Sequence, residues 1–227
     1  AMIEFGTDKP DLRNPLRIID LTEFFSRCTF KPFIGSTVRA IKVHAEMSKG
    51  FHEKLLEYAL SIGMGGLGYL EVGEDLSFKG PIDKFIPQEL KGELIKLASL
   101  KSGDTIFFIA DSPSHAPRLA GLIRTELGKR LSLTEEDAFR FCFVNDFPMY
   151  EQDEETGKIV FTHNPFSMPQ GGLQALEEKN PLEVLAYQYD IVCNGVELSS
   201  GAVRNHDLDI MVKAFGIAGY TEEELKT

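Results

Sequence analysis

The chain has 227 residues, enough for one or two domains and for a core that needs no disulfide staples. It is 43% hydrophobic and 26% charged, and no apolar run nears the roughly 20 residues of a membrane helix, which argues against disordered, collagen-like, coiled-coil and integral membrane classes. The net charge of −11 is uneven: residues 1–145 carry 19 basic and 20 acidic side chains, residues 146–227 carry 5 and 15. Such an acidic last third is a poor surface for nucleic-acid phosphate and suits either a divalent cation or plain solvation.

In chain order, Gly6 to Arg13 is polar and turn-rich. Asp20-Leu21-Thr22-Glu23 reads as an N-cap with an acid three residues on, opening a short helix through Phe24 and Phe25. Val38–His44 reads as a strand, and about Ser48 to Ile62 as a helix with Leu55, Ala59 and Ile62 on its apolar face. Strands at Gly68–Val72 and Leu76–Phe78 precede a helix after Pro87. The unbroken apolar run Thr105–Ala110 reads as a buried strand, and Pro117–Leu127 as a helix stopped by Gly128. Residues 29–138 thus read as an α/β module with its own core, expected to fold alone. Beyond it, the alternation of Phe139, Phe141 and Phe143 with polar or smaller residues marks a strand, residues 153–158 a turn, Ile159–Thr162 and Tyr187–Val192 strands, and Asp207–Ile217 a helix.

The first residues have neither a basic n-region nor an apolar h-region, so no signal peptide is expected there. Cys28, Cys142 and Cys193 are odd in number and far apart, without zinc spacing, which fits a reducing, cytoplasmic compartment. The absence of an initial methionine and a capping-box start at Thr221 and Glu224 lead to the expectation of an internal piece of a longer chain.

Several motif matches fail on context. Gly63-Met64-Gly65-Gly66-Leu67-Gly68 fits the dinucleotide fingerprint, but a helix precedes it and a strand follows, the reverse of the required order. His52-Glu53 has Leu56 where a zincin needs a second histidine, leaving His52 as a helix-surface residue. Ser112-Pro113-Ser114-His115 lacks a nucleophile elbow, and Ser114 reads as a helix cap.

The stretch Tyr189 to His206 is harder to dismiss. Asn194-Gly195 is a strong hairpin signal, and a two-residue turn there puts Asp190 and Glu197 on adjacent strands, where they could share a divalent cation. Ser199, Ser200 and Gly201 are small enough for a ligand to approach the backbone, and Arg204 offers a bidentate fork to a carboxylate or phosphate. The competing interpretation is a structural ion-pair network among the same three charged residues.

These residues also carry a resemblance. Gly6 to Arg13, Asp146 to Glu151, His163 to Pro169 and Tyr189 to Arg204 occur in that order in bacterial-type aspartyl-tRNA synthetases, and the chain resembles that family over essentially its whole length. The resemblance implies an α+β fold: part of a class II antiparallel-sheet core in residues 1–28 and 139–227, interrupted by an inserted α/β GAD domain, ferredoxin-like, at 29–138. It implies a homodimeric enzyme that activates aspartate with ATP and Mg2+ to aspartyl-adenylate and transfers it to tRNA. By motif, Glu197 holds magnesium and ATP with Asp190 beside it, Arg204 binds the substrate aspartate, and His163 opens a mobile loop over it. Ser199, Ser200 and Gly201 line the floor where many relatives have three glycines, and Asn164 stands where many have a second histidine.

The family's anticodon-binding barrel and first two signature motifs lie before the matched region, and the third lies beyond Thr227. The isolated chain is therefore expected to be inactive, with a loosely held loop at His163–Pro169. Two rivals remain: a non-catalytic tRNA-contacting or scaffold module akin to the GAD domain of tRNA-dependent amidotransferases, and an unrelated metal-dependent enzyme using Asp190 and Glu197.

Overall fold

The computed structural model describes residues 1–221 together with Glu223 and Glu224, in two compact units, residues 1–139 and residues 140–227. The first unit is built on five strands, β1 (Ile18–Asp20), β2 (Thr37–His44), β3 (Gly68–Val72), β4 (Phe78–Lys79) and β5 (Asp104–Asp111). They lie in the order β1-β2-β5-β3-β4, every pair antiparallel. Along β5 the residues from Ile106 to Ile109 are all at most 1% exposed, so both faces of the sheet need a cover.

Two helical layers supply it. Helix α3 (Lys49–Ser61) and helix α5 (Ala116–Arg130) bring Leu55, Ala59, Leu119, Ile123 and Leu127 onto Ile41, Phe107 and Ile109. On the opposite face helix α4 (Gln88–Leu97) brings Leu94 onto Val38, Leu70, Ile106 and Phe108. Ser48 starts α3 by accepting from the Phe51 N–H at 3.2 Å.

Three expectations fail here. A ferredoxin-like module places its two crossover helices on one face, whereas α3 and α4 lie on opposite faces and β5 inserts between β2 and β3. The core is also not confined to residues after 28. Helix α2 (Thr22–Ser26) buries Phe24 and Phe25 in the α4-side cluster, and Phe25 meets the rings of Phe33 at 4.8 Å and Phe108 at 5.1 Å, edge-on. Finally, Gly128 does not stop α5. It lies within the helix, where a Cβ would sit 2.3 Å from the side-chain nitrogen of Asn14.

That close approach belongs to a buried clamp. Arg124, 2% exposed, donates to the carbonyls of Leu16 (2.8 Å), Asp11 (3.0 Å) and Asn14 (2.7 Å), and Asn14 returns a bond to the Arg124 carbonyl at 2.9 Å. Burial pushes the Arg124 guanidinium down to about 10, so it stays charged at neutral pH. Short helix α1 (Met2–Phe5) ends at Gly6, in a left-handed conformation and packed so tightly that a Cβ on Gly121 would lie 2.5 Å from its carbonyl oxygen.

The second unit holds a three-stranded antiparallel sheet in the order β10-β9-β6, from β6 (Phe141–Pro148), β9 (Leu185–Cys193) and β10 (Val196–Ala202). A hairpin of β7 (Tyr150–Gln152) and β8 (Ile159–Phe161) and helices α6 (Gly172–Glu178) and α7 (Leu208–Ile217) complete it. Tyr150 is 1% exposed and donates its hydroxyl to the Ala214 carbonyl at 2.9 Å, fastening α7 over the small core of Met149, Leu176, Val184 and Ala186. Both units thus combine antiparallel sheets with helices, the α+β class that was expected. The Thr221–Glu224 capping contact is present at 2.8 Å, while residues 222 and 225–227 of that expected helix lie outside the described residues.

Candidate functional site

The hairpin that carries the acidic candidates forms at Asn194-Gly195. Both residues have positive φ (53° and 81°), and Cys193 pairs with Val196 across a two-residue loop. This is what a primed turn demands of Asn-Gly.

From that turn the register decides which side chains meet. Val192 pairs with Glu197, but the pairing then shifts, so that Asp190 faces Ser200 and Tyr189 faces Gly201. The bulge at Leu198 turns β10 by one residue. Paired residues share a sheet face and alternate residues along a strand share it too. Asp190, Val192, Glu197 and Ser200 therefore occupy one face, and Ser199, Gly201 and Tyr189 the other. Asp190 is 7% exposed and Glu197 lies open to solvent. Diagonal neighbours of this kind have Cβ atoms about 7–8 Å apart, within reach of carboxylates converging on one ion.

The floor expected from three small residues is thereby split. Ser200 lies with the carboxylates, while Gly201 sits under the Tyr189 ring, whose Cζ would be 2.5 Å from an added Cβ. Ser199 pairs with Ile191 on that second face.

Arg204 follows β10 directly. It pairs with Ser167 in an isolated antiparallel bridge, flanked by the bonds Met168 N–H to Val203 O (2.8 Å) and Asn205 N–H to Phe166 O (2.7 Å). Its guanidinium lies 5.8 Å from the centre of the Phe166 ring. Among the described residues it forms no ion pair, so an Asp190–Glu197–Arg204 network is not what the structure contains. The neighbouring Asn205 is 1% exposed and its side-chain Nδ2 has no partner among the described residues.

His163 is exposed, with its ring edge-on to Phe147 at 4.8 Å. The segment after it is not loosely held. Asn164 Oδ1 accepts from the Phe166 N–H at 3.0 Å, and its carbonyl accepts from the hydroxyl of Ser167 at 2.9 Å and from Nε2 of Gln188 at 2.9 Å. Further on, the Gln170 N–H donates to the Leu185 carbonyl at 2.7 Å. An asparagine in the place of the second histidine is thus the start of a side-chain-closed turn. Gln188 belongs to none of the motifs above; its signal in the sequence is an amide at an inward position of a strand with Ala186, Asp190 and Val192.

Among the described residues no group of three or more His, Cys, Asp or Glu is placed to hold a metal ion, and no helix is long and apolar enough to cross a membrane. Two side readings change. His52 is 9% exposed rather than on the surface, its Nε2 3.0 Å from Glu71 and its ring stacked on Tyr69 at 3.9 Å. Ser114 does not cap α5: His115 stands at the cap position without a side-chain cap bond, and its N–H donates to Ser112 Oγ at 3.4 Å.

The model of the tRNA synthetases class II (D, K and N) family matches residues 1–227. The chain is 52% identical to an aspartate–tRNA(Asp/Asn) ligase of Rickettsia conorii, over 99% of this chain and 39% of that protein. It is 51% identical to an aspartate–tRNA(Asp/Asn) ligase of Ehrlichia chaffeensis, over 98% of this chain and 39% of that protein. It is 52% identical to an aspartate–tRNA ligase of Streptomyces coelicolor, over 100% of this chain and 39% of that protein. The chain spans about two fifths of the length of these curated relatives.

Proposed function

The chain belongs to the class II tRNA synthetases of the D, K and N type, and on that premise we propose that it is the aspartate-site portion of a bacterial-type aspartate–tRNA ligase. The observation that carries this reading is electrostatic. A solvent-facing guanidinium with no ion pair among the described residues follows directly on β10, whose Glu197 shares a sheet face with Asp190 of the paired strand β9. An unpaired cation beside two carboxylates is complementary to an acidic amino acid and a phosphate-bound divalent cation respectively.

In this reading Arg204 clamps the side-chain carboxylate of aspartate, and His163 covers it. Any closure of that loop belongs to residues before Asn164, because the rest is tied down. Asp190 and Glu197, with Ser200 on the same face, hold Mg2+ and ATP. Two carboxylates on one face would suit a hard cation that takes its other ligands from water and substrate phosphates. Magnesium, when bound, neutralises phosphate charge; the chain's own residues supply position. The α-carboxylate oxygen of aspartate attacks the α-phosphorus, the α–β phosphoanhydride bond breaks and pyrophosphate leaves with its electron pair. A terminal ribose hydroxyl of tRNA then attacks the aspartyl carbonyl, AMP leaves, and the ester remains on the tRNA. In this account the GAD insertion, residues 29–138, draws residues 1–28 into its core, the parent is a cytoplasmic homodimer, and the isolated 227-residue chain is inactive because the cations for the α-phosphate lie outside it.

The non-catalytic scaffold is not favoured, since the ligase relatives match both units end to end. The test is aspartate-dependent exchange of pyrophosphate into ATP. The full-length protein should exchange and the 227-residue chain should not exceed its Glu197→Ala variant; a full-length protein inert with aspartate would overturn the reading.

A further inference from the structure

Between Asp190 and the base of β9 lies an amide that neither the family motifs nor the carboxylate pattern uses. Gln188 is 7% exposed and pairs in register with Ala202 on the face of Asp190. Its Nε2 donates to the Asn164 carbonyl at 2.9 Å and to Ser167 Oγ at 2.8 Å, and the Ser167 hydroxyl in turn donates to that same carbonyl at 2.9 Å. The amide gives two hydrogens and the hydroxyl accepts one and gives one, while the Asn164 carbonyl accepts from both side chains and, at 3.2 Å, from the Ser167 N–H. Ser167 is fully buried.

The triangle ties together the two pieces of chain that present the proposed aspartate contacts. Asn164 directly follows His163. Ser167 is the bridge partner of Arg204, and the two backbone bonds that frame the bridge come from its neighbours Phe166 and Met168. Gln188 is thus a buried side chain that joins the strand of Asp190 to both the His163 loop and the bridge partner of Arg204. We propose that Gln188 is a positioning residue, which fixes where Arg204 and His163 stand relative to the Asp190–Glu197 face without itself touching substrate. This inference rests on the aspartate-site reading. Loss of the amide leaves the Asn164 carbonyl with one donor fewer and Ser167 without its donor, in a buried setting where each unmade bond matters. The first consequence is a loosened 164–168 segment. The second is that Arg204, whose backbone stays tied to β9 by the Val203 N–H to Tyr187 carbonyl bond at 2.9 Å, loses the side-chain support behind its bridge to Ser167, so its approach to the His163 loop is no longer fixed.

A purely structural role and a positioning role differ in what they do to the two substrates. Positioning of Arg204 and His163 concerns aspartate alone, whereas ATP is held by Asp190 and Glu197. In the full-length protein, Gln188→Ala should raise KM for aspartate by at least about ten-fold while KM for ATP changes by less than about two-fold, read by pyrophosphate exchange. Ser167→Ala, which removes the two legs of the triangle at the hydroxyl and keeps the bond from Gln188 to the Asn164 carbonyl, should shift aspartate KM in the same direction by less, and it serves if Gln188→Ala does not fold. Unchanged aspartate KM in a folded variant, or equal losses for aspartate and ATP, overturns the positioning role while leaving the ligase reading standing. Absence of aspartate-dependent exchange in the unsubstituted protein overturns both.

Discussion

Deleting residues 1–28 should abolish the fold of the first unit. The segment contributes Leu16, Ile18, Leu21, Phe24 and Phe25 to the core, none more than 7% exposed. Burying a side chain of this size is worth about 1.5–3 kcal/mol, so the five together hold roughly 8–15 kcal/mol as an upper bound. A domain of this size has only about 5–15 kcal/mol in total. The deletion also removes strand β1 from its pairing with β2 and takes away the three carbonyls that accept from buried Arg124, stranding a charged group. Circular dichroism melts of two segments decide it. Residues 1–139 should unfold in one cooperative transition, and residues 29–138 should show no transition and no near-ultraviolet signal. Phe25→Ala in the longer segment gives a graded version: about 3–5 kcal/mol for a phenylalanine cavity, a fall in Tm of roughly 10–15 °C. If residues 29–138 melted cooperatively within a few degrees of the longer segment, the burial reasoning would be refuted.

Gly121→Ala should destabilise the same unit by more than about 2 kcal/mol in urea unfolding, because its Cβ would meet the backbone of Gly6 at 2.5 Å, which has no side-chain freedom to yield. Gly195→Ala should weaken the second unit by about 1–2 kcal/mol, since alanine must hold φ near 81°; an unchanged midpoint would mean the primed turn is not the one in solution. The hydrogen bond from Arg13 holds the Asp11 carboxyl below its usual value. A lowered carboxylate contributes stability above its unfolded pKa and loses it as pH falls through the folded value. The contribution should thus be constant from neutral pH down to about pH 4 and fade below. Asp11→Asn should flatten that acid limb of the stability curve; an identical limb would remove Asp11 from it.

What the sequence disclosed and what it withheld follow from range. The buried run Thr105–Ala110 was legible because a strand covered on both faces has no polar alternation to hide it. Asn194-Gly195 was legible because a two-residue turn needs positive φ twice in succession. Gly128 was misread because glycine signals both a helix end and a close approach, and the choice was made by Asn14, more than a hundred residues away in sequence. The bulge at Leu198 leaves no mark in composition, yet it decides that Ser200 and not Ser199 joins the carboxylates. The ferredoxin-like order failed for a similar reason. The helix and strand sequence of residues 29–138 does not say which face α4 covers, and Phe24 and Phe25 of α2 share that face with it. Gln188 carries no charge and sits in no motif, and its importance comes from two acceptors in a loop some twenty residues away.

The central claim is that the guanidinium beside this acidic face receives the carboxylate of aspartate. A charged hydrogen bond of this kind is worth about 1.5–3 kcal/mol. Arg204→Ala in the full-length protein should therefore lower kcat/KM for aspartate at least roughly ten-fold in pyrophosphate exchange, with KM for ATP nearly unchanged. Arg204→Lys should recover only part of the loss, since it lacks the two-pronged donor. Kinetics for aspartate indistinguishable from those of the unsubstituted protein would contradict the account.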